Sequence, residues 1–326
     1  MTSLSVSVAL CTYNGAAFIE EQIRSILDQS LPPIELVVSD DGSTDDTLDL
    51  IQREFANRPG SPVRLRILGP VTHLGVTANF ERAIVATTGE LIALCDQDDV
   101  WHTDRLAAVV PQFVDDPRLL FLNSDATLVG ADGGTRGESL FGSLRFSEWE
   151  RRLIDADAAF AAYIRRNLAT GATTIIRRAL VRSATPFPPE WVHDEWLAII
   201  AAGTGRLRYL DEELIDYRQH ENNQIGVAAP TFRHRLGRLL EPRGDRYVKL
   251  ALRSRLLVSR LREIGVEPEI AERAADKARF ETVRAGYPLR RLPRLPAVLA
   301  EYRRGSYDRL SSQGNLDVLR DILQPR

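Results

Sequence analysis

The chain reads as an α/β protein: a doubly wound, mostly parallel sheet followed by a basic helical region. Three observations carry this. Between residues 5 and 113, short apolar runs alternate with segments of helical period. Those runs are apolar throughout rather than at every second residue, as strands covered on both faces require. From Thr231 onward strand signals stop and Arg-rich helical segments take over.

Ser5–Cys11 is the first expected strand, and Ala16–Gln29 the first helix, with Phe18, Ile19, Ile23, Ile26 and Leu27 at helical spacing until Pro32 and Pro33 end it. Ile34–Ser39 is a second strand. Ser43 or Thr44 can cap a helix through Phe55, with Asp45 and Asp46 in its first turn. Val63–Leu68 and Glu90–Cys95 are expected strands, and Thr77–Thr87 and Thr103–Phe113 helices. Beyond Leu119 the pattern loosens. LLFLNSDATLV suggests paired strands, Gly130–Gly142 a loop and Thr173–Ile176 a short strand. Glu195–Ala202 suggests a helix ending at Gly203, and Arg206–Leu210 and Leu214–Tyr217 two further short strands. The expected domains are 1–228, with halves 1–125 and 126–228, and a basic helical region 229–326.

At 326 residues the chain can hold one large or two modest domains, and 44% hydrophobic with 27% charged residues is ordinary for a soluble protein. The net charge of −3 hides an asymmetry: residues 1–229 carry 20 basic against 33 acidic groups, residues 230–326 carry 22 against 12. A basic tail of this kind suits a polyanionic or a membrane-surface partner. One helix candidate, 246–264, places Leu250, Leu257, Leu261 and Ile264 on one face; in 288–305 the prolines argue against one long helix. Nucleic acid is not expected as a partner, because aromatics hardly interleave with the arginines. Cys11 and Cys95 read as small core hydrophobes in a reducing compartment. No signal peptide is apparent, and no apolar run approaches the ~18 residues of a membrane span. A cytoplasmic protein, either free or peripheral on the inner face of the membrane, is the expectation.

In open parallel sheets ligands gather beyond the carboxyl ends of the strands. Three strands deliver distinctive residues there: CTYNG (11–15), SDDGSTDDT (39–47) and CDQDD (95–99). Asp96, Asp98 and Asp99 fall within four positions with no local Lys or Arg, and such carboxylates are the hard ligands Mn²⁺ or Mg²⁺ prefers. With few protein ligands, the cation would keep water and substrate phosphates, which points to a nucleotide diphosphate. Neither GxxxxGK[ST] nor a GxGxxG after the first strand is present. Tyr13 offers a ring on which a base can stack, and Asp40 or Asp41 can accept from a base N–H or a ribose hydroxyl.

CTYNG, DDGSTDDT and DQDD at these separations resemble the family 2 inverting glycosyltransferases of the GT-A fold, over residues 5–226. The resemblance implies a nucleotide-sugar half built from Thr12, Tyr13, Asn14, Asp40, Asp41 and Asn79. It also implies that Asp96-Gln97-Asp98 is the DxD motif, with Asp98 nearest the metal; Asp96 is then read as a contact to the nucleotide or to a metal ligand, and Asp99 as the start of the next turn.

Sugar transfer with inversion is a single displacement, and a carboxylate must deprotonate the acceptor hydroxyl. WVHDEWLAII (191–200) puts His193, Asp194 and Glu195 at a helix entry, where an Asp can equally be a cap. The resemblance makes Asp194 the general base; Glu195 stands where related chains have a Trp in HDWW and remains the alternative. Gly171, in ATGATTIIRR, together with Glu195 and Trp196 forms the implied acceptor side. DYRQHENNQIG (216–226) is similar to rhamnosyltransferase-type members; Arg218 would meet phosphate, and His220 the metal or a phosphate. The QxxRW signature of processive synthases is absent. The implied reaction moves one sugar, rhamnose from a dTDP donor or another dTDP- or UDP-sugar, onto a cell-surface glycan or lipid-linked acceptor. A sugar nucleotidyltransferase and a non-catalytic nucleotide-sugar binder are the alternatives.

Overall fold

The computed structural model describes residues 4–220 and 242–325; the ENNQIG stretch (221–226) and the start of the basic region (229–241) lie outside them. The chain begins β1 (Val6–Thr12), α1 (Ile19–Leu27), β2 (Glu35–Asp40), α2 (Thr47–Ala56), β3 (Arg64–Ile67), α3 (Val76–Ala86) and β4 (Leu91–Cys95). Then follow β5 (Val100–Trp101), α4 (Arg105–Asp115), β6 (Leu119–Gly130), β7 (Thr135–Ser139), α5 (Leu140–Leu144), α6 (Glu148–Asp155) and α7 (Ala159–Tyr163). A 3-10 turn (Gly171–Thr173) leads to β8 (Thr174–Arg177), α8 (Ala179–Ala184), α9 (His193–Thr204) and β9 (Arg206–Gln219).

The sheet order is β3-β2-β1-β4-β8-β6-β9-β5, with β7 on β6. The first four strands are parallel, and antiparallel pairs enter only with β5, β7 and β8. Every residue of β1, β2 and β4 is buried, as the continuous apolar runs require. Ile19, Ile23 and Ile26 of α1 and Val109, Val110 and Phe113 of α4 pack in one cluster with Val8, Leu10, Leu36 and Val38. Both cysteines are buried and unpaired.

Three expectations are corrected. LLFLNSDATLV is one strand, β6, and its partner β7 comes from the segment expected as loop. The two short strands after residue 205 are one, β9. Its pairing with β6 jumps from Leu210 to Glu213, so exposed Asp211 and Glu212 bulge out and imitate a loop in the sequence. Pro293 and Pro296 lie within a helix rather than breaking it. Pro293 sits in the first turn, where its missing N–H has no helical partner to lose.

The chain divides into two compact units: Met1–Asp157 with Leu168–Val227, and Ala158–Asn167 with Ala228–Arg326. The expected division at 125 falls inside β6, and the segment carrying α7 groups with the second unit. That unit holds α10 (Arg246–Ile264), α11 (Pro268–Ala285), α12 (Arg291–Arg303), α13 (Ser306–Leu310) and α14 (Asn315–Leu323). Its apolar core is small: Phe280, Tyr287, Val298, Tyr307 and Leu310. On α10, Leu257 and Leu261 are buried, so the apolar face read from the sequence is used for packing.

Candidate active site

Parallel pairing sets Thr12 beside Asp40 and Leu10 beside Cys95, so the three motif-bearing strands end at one edge. The loops beyond them brace one another. The Asn14 amide donates to Ser43 Oγ (2.9 Å) and Thr44 N–H to Asn14 Oδ1 (2.8 Å). Gly15 N–H reaches Thr47 Oγ1 (2.8 Å) and Ala16 N–H Asp45 Oδ2 (3.0 Å). Gln97 clamps Tyr13 with both ends of its amide, accepting from Tyr13 N–H (2.8 Å) and donating to Tyr13 C=O (3.1 Å). A Cβ on Gly15 would lie 2.3 Å from Gln97 Oε1, so only glycine fits beneath this clamp.

Asp40 accepts from the Thr12 hydroxyl (2.7 Å), Gly42 N–H (3.0 Å), Ser43 N–H (2.8 Å) and the Ser43 hydroxyl (2.5 Å). Asp41 accepts from Leu74 N–H (2.5 Å) and Gly75 N–H (3.0 Å) and faces His73 Nδ1 at 2.9 Å. Asn79 accepts from the Ser39 hydroxyl (2.6 Å) and donates to the Ser39 carbonyl (2.9 Å). Thr12, Asn14, Asp40, Asp41, Asn79 and Gln97 therefore use polar groups inside the protein and shape the strand edge. Tyr13 differs. Its ring is 43% exposed beside that of His73, with centroids 5.0 Å apart.

The three acids of DQDD occupy three environments. Asp99 is buried; its N–H donates to Gln22 Oε1 (3.1 Å), one carboxylate oxygen accepts from Arg218 N–H (2.9 Å), and the other has no hydrogen-bond partner among the described residues. Asp98 Oδ2 lies 2.8 Å from His220 Nε2, and the His220 ring stacks on Phe18 with centroids 4.9 Å apart. Burial, reinforced by Asp98 and then Asp194, pushes Asp96 up to about 8. Burial also raises Asp98 despite the His220 hydrogen bond. It raises Asp99 well above the usual carboxylate range, with Asp98 and Asp96 adding to the effect.

Two arginines outside the acidic loop in the sequence come close to it in the fold. Arg105 is fully buried over the Trp101 ring (3.9 Å), donates to Ala172 C=O (2.8 Å), and is pulled down to about 10 by burial. Arg218, expected at a phosphate, is instead committed to the protein. Its guanidinium donates to Asp98 C=O (2.8 Å), Ala131 C=O (3.1 Å) and Glu21 (2.7 Å) over the Phe18 ring. It positions the acidic loop. Arg218 lowers Asp98, and Arg105 lowers Asp99, but burial outweighs both and the acids stay raised.

This donor set fits a hard divalent cation. Asp98 and His220 supply an oxygen and an imidazole nitrogen at one point, beside acids that burial raises and a bound cation would lower. Among the described residues no three His, Cys, Asp or Glu side chains form a metal cluster. Water and substrate phosphates would therefore complete the coordination, as is common for Mg²⁺.

The second half of the site is the start of α9. Asp194 is buried and accepts from Gly171 N–H (3.0 Å) and Glu195 N–H (2.6 Å). Burial, then the Glu195 charge, raises it to about 7 against the lowering by those amides. His193 is buried flat on Phe80, centroids 3.7 Å apart, with neither ring nitrogen hydrogen-bonded among the described residues, and burial lowers it to about 3. A Cβ on Gly171 would come 2.7 Å from His193 Nε2. The close approach that needs a glycine here is to His193 and Asp194. Trp196 is also corrected: it is fully buried, with its indole N–H on Ala184 C=O (2.8 Å), and cannot offer its ring to an acceptor in this conformation. Glu195, in the first turn of α9, is partly exposed.

Phe18, Glu21, Gln22 and Arg105 were missed. Gln22 carried a signal, because it interrupts the apolar stripe of α1 on its buried side; Phe18 read as one more member of that stripe.

Residues 7–182 match the sequence model described as Glycosyl transferase family 2, more than half of the chain. The protein belongs to that family. This glycosyltransferase is 28% identical over 227 residues to the dTDP-rhamnosyl transferase RfbG of Shigella flexneri, covering 67% of this chain and 74% of that one. Among solved structures it is similar to S. aureus TarS 1-349 in complex with UDP-GlcNAc, with a TM-score of 0.53 and 20% identity over 97% of this chain and 90% of that one. It is also similar to the mannosyltransferase PcManGT from Pyrobaculum calidifontis in complex with GDP-Man and Mn²⁺, with a TM-score of 0.54 and 19% identity over 94% and 77%. These likenesses show the fold, GT-A. None of the described helices is long and apolar enough to cross a membrane.

Proposed function

We propose that this glycosyltransferase is a metal-dependent, inverting, non-processive enzyme that moves one sugar from a nucleotide diphosphate donor to a hydroxyl acceptor, with Asp194 as general base. The carrying observation is the state of Asp194: buried at the start of α9, fixed by two backbone amides, raised to about 7, and close enough to Asp96 to raise that acid in turn. A carboxylate poised near neutral pH is matched to general-base work.

In the step, the acceptor oxygen attacks the anomeric carbon as its proton passes to Asp194. The bond from that carbon to the diphosphate oxygen breaks, and its electron pair leaves with the nucleoside diphosphate. Asp98 and His220 would hold Mn²⁺ or Mg²⁺, which when bound neutralises charge on the departing diphosphate. The exposed ring of Tyr13 stacks on the base. Arg218 and Gln97 keep the acidic loop in register with β1. PcManGT, of the same fold, was solved with Mn²⁺ and a nucleotide-sugar, which agrees with this donor set.

The favoured donor is dTDP-rhamnose, from the likeness to RfbG and the YRQH motif, with other dTDP- or UDP-sugars next. The acceptor is a cell-surface glycan or its lipid-linked precursor, which would bring the enzyme to the inner, anionic face of a membrane. Thermal unfolding with a panel of nucleotide-sugars and Mn²⁺ tests the donor class. Stabilisation by dTDP-rhamnose above the others is expected, and no stabilisation by any of them would defeat the proposal.

A further inference from the structure

The second unit is built partly inside out. On α14, Asp317, Arg320 and Asp321 are buried, while Leu316, Leu319 and Leu323 are 46%, 48% and 41% exposed. On α12, Arg294, Val298 and Glu301 point inward, while Leu292 and Leu299 are 79% and 46% exposed. These two helices pack against each other.

The polar interior has its own logic. Asp321 accepts from the Tyr247 hydroxyl (2.7 Å), the Tyr307 hydroxyl (2.8 Å) and two nitrogens of buried Arg284 (2.7 and 3.2 Å). Arg294 donates to the carbonyls of Pro288, Leu289, Asp321 and Gln324. The inner faces thus combine this network with Val298, Val318 and Ile322 of the small apolar core, and folding leaves the leucines in water. An amphipathic helix normally turns its apolar stripe toward the core. A reversed one marks a surface meant to be covered.

The charge around the leucines selects what covers them. All three acids of α12 and α14 are buried. Arg290, Arg291 and Arg303 are exposed, and none has an ion-pair partner among the described residues. The outward surface therefore offers leucine and arginine without a carboxylate. A second copy joined through the same face would bring like charges together. An anionic bilayer takes leucine into its acyl boundary and arginine at its phosphates.

We propose that the outer faces of α12 and α14 form the docking surface for an anionic lipid bilayer. This rests on the membrane-borne acceptor of the proposed function for its purpose, and it places the contact, within the basic region 229–326, on the C-terminal pair of helices. Vesicle flotation of the full chain tests it, using phosphatidylcholine vesicles with and without phosphatidylglycerol. The wild-type chain should float only with the anionic vesicles, and less as salt rises. Leu292→Ser with Leu299→Ser, or Leu316→Ser with Leu319→Ser and Leu323→Ser, should each weaken binding roughly tenfold or more. Replacing Arg290, Arg291 and Arg303 by Gln should weaken binding and flatten the salt dependence. Stabilisation by nucleotide-sugar with Mn²⁺, measured on the same variants, reads the proposed function separately and should not change. Failure of the wild-type chain to bind anionic vesicles, or binding by the leucine variants at the wild-type level, would overturn the assignment. So would a wild-type dimer in light scattering that the leucine variants break.

Discussion

His220 Nε2 faces Asp98 Oδ2 at 2.8 Å, and two residues earlier Arg218 holds the Asp98 carbonyl at the same distance. The end of β9 thus grips the acidic loop twice, once through a group that can ligate a metal and once through one that cannot. The two contacts predict different phenotypes. His220→Ala should weaken Mn²⁺ binding by at least tenfold, the scale of losing a supporting metal contact, with the fold intact by circular dichroism. Titration of Mn²⁺ by electron paramagnetic resonance checks this; unchanged affinity would remove His220 from the metal site.

As the proposed general base, Asp194 implies a pH signature. A general base works deprotonated, so with Asp194 raised to about 7 the ionised fraction grows as pH rises through that value. The kcat/KM for transfer should fall about tenfold per pH unit below about 7 and level off above it. A profile flat from about pH 5 to about pH 8, roughly two units below that value to one above it, would contradict the assignment.

Gly171 offers a test that leaves the proposed base, Asp194, unmutated. A methyl there would press on His193 Nε2 and displace the amide that holds Asp194. Gly171→Ala should cut kcat by roughly a hundredfold through misplacement of the base while donor-induced thermal stabilisation stays at the wild-type level. Wild-type turnover would show that this support is dispensable.

Glu35, at the other end of β2, governs acid stability. Burial alone would raise it, but donors from Thr88 and Ser7, with Arg64, bring it down to about 2. A depressed carboxylate contributes stability above its unfolded value of 4.5 and loses it as pH falls toward about 2. Glu35→Gln should therefore cost roughly 2 kcal/mol at neutral pH and flatten the stability curve across that acid window. Urea denaturation at several pH values reads both effects.

The doubly wound half was legible because β1, β2 and β4 are buried on both faces, so their sequences hold uninterrupted apolar runs that end at the motifs. What followed was less so. Asp211 and Glu212 look like a loop because a bulge and a loop expose the same residue types. Arg218 was assigned to phosphate because a guanidinium aimed at carbonyls and one aimed at a ligand are the same letter in the same motif; only the positions of Asp98 and Ala131 distinguish them. Trp196 was given to the acceptor for similar reasons and is core. The reversed faces of α12 and α14 were illegible because helical spacing of leucines shows that a face exists, not which side of the helix the core takes.

The central claim is that Asp194, not Glu195, takes the acceptor proton. Comparing Asp194→Asn with Glu195→Gln in transfer from a stabilising nucleotide-sugar with Mn²⁺ tests it most directly. Asp194→Asn should lose at least a hundredfold to ten-thousandfold in kcat, roughly the contribution of a general base, and keep donor-induced stabilisation. Glu195→Gln should stay within about tenfold of wild type, as expected for a residue that takes no proton. Near-normal turnover by Asp194→Asn, with collapse in Glu195→Gln, would contradict the account.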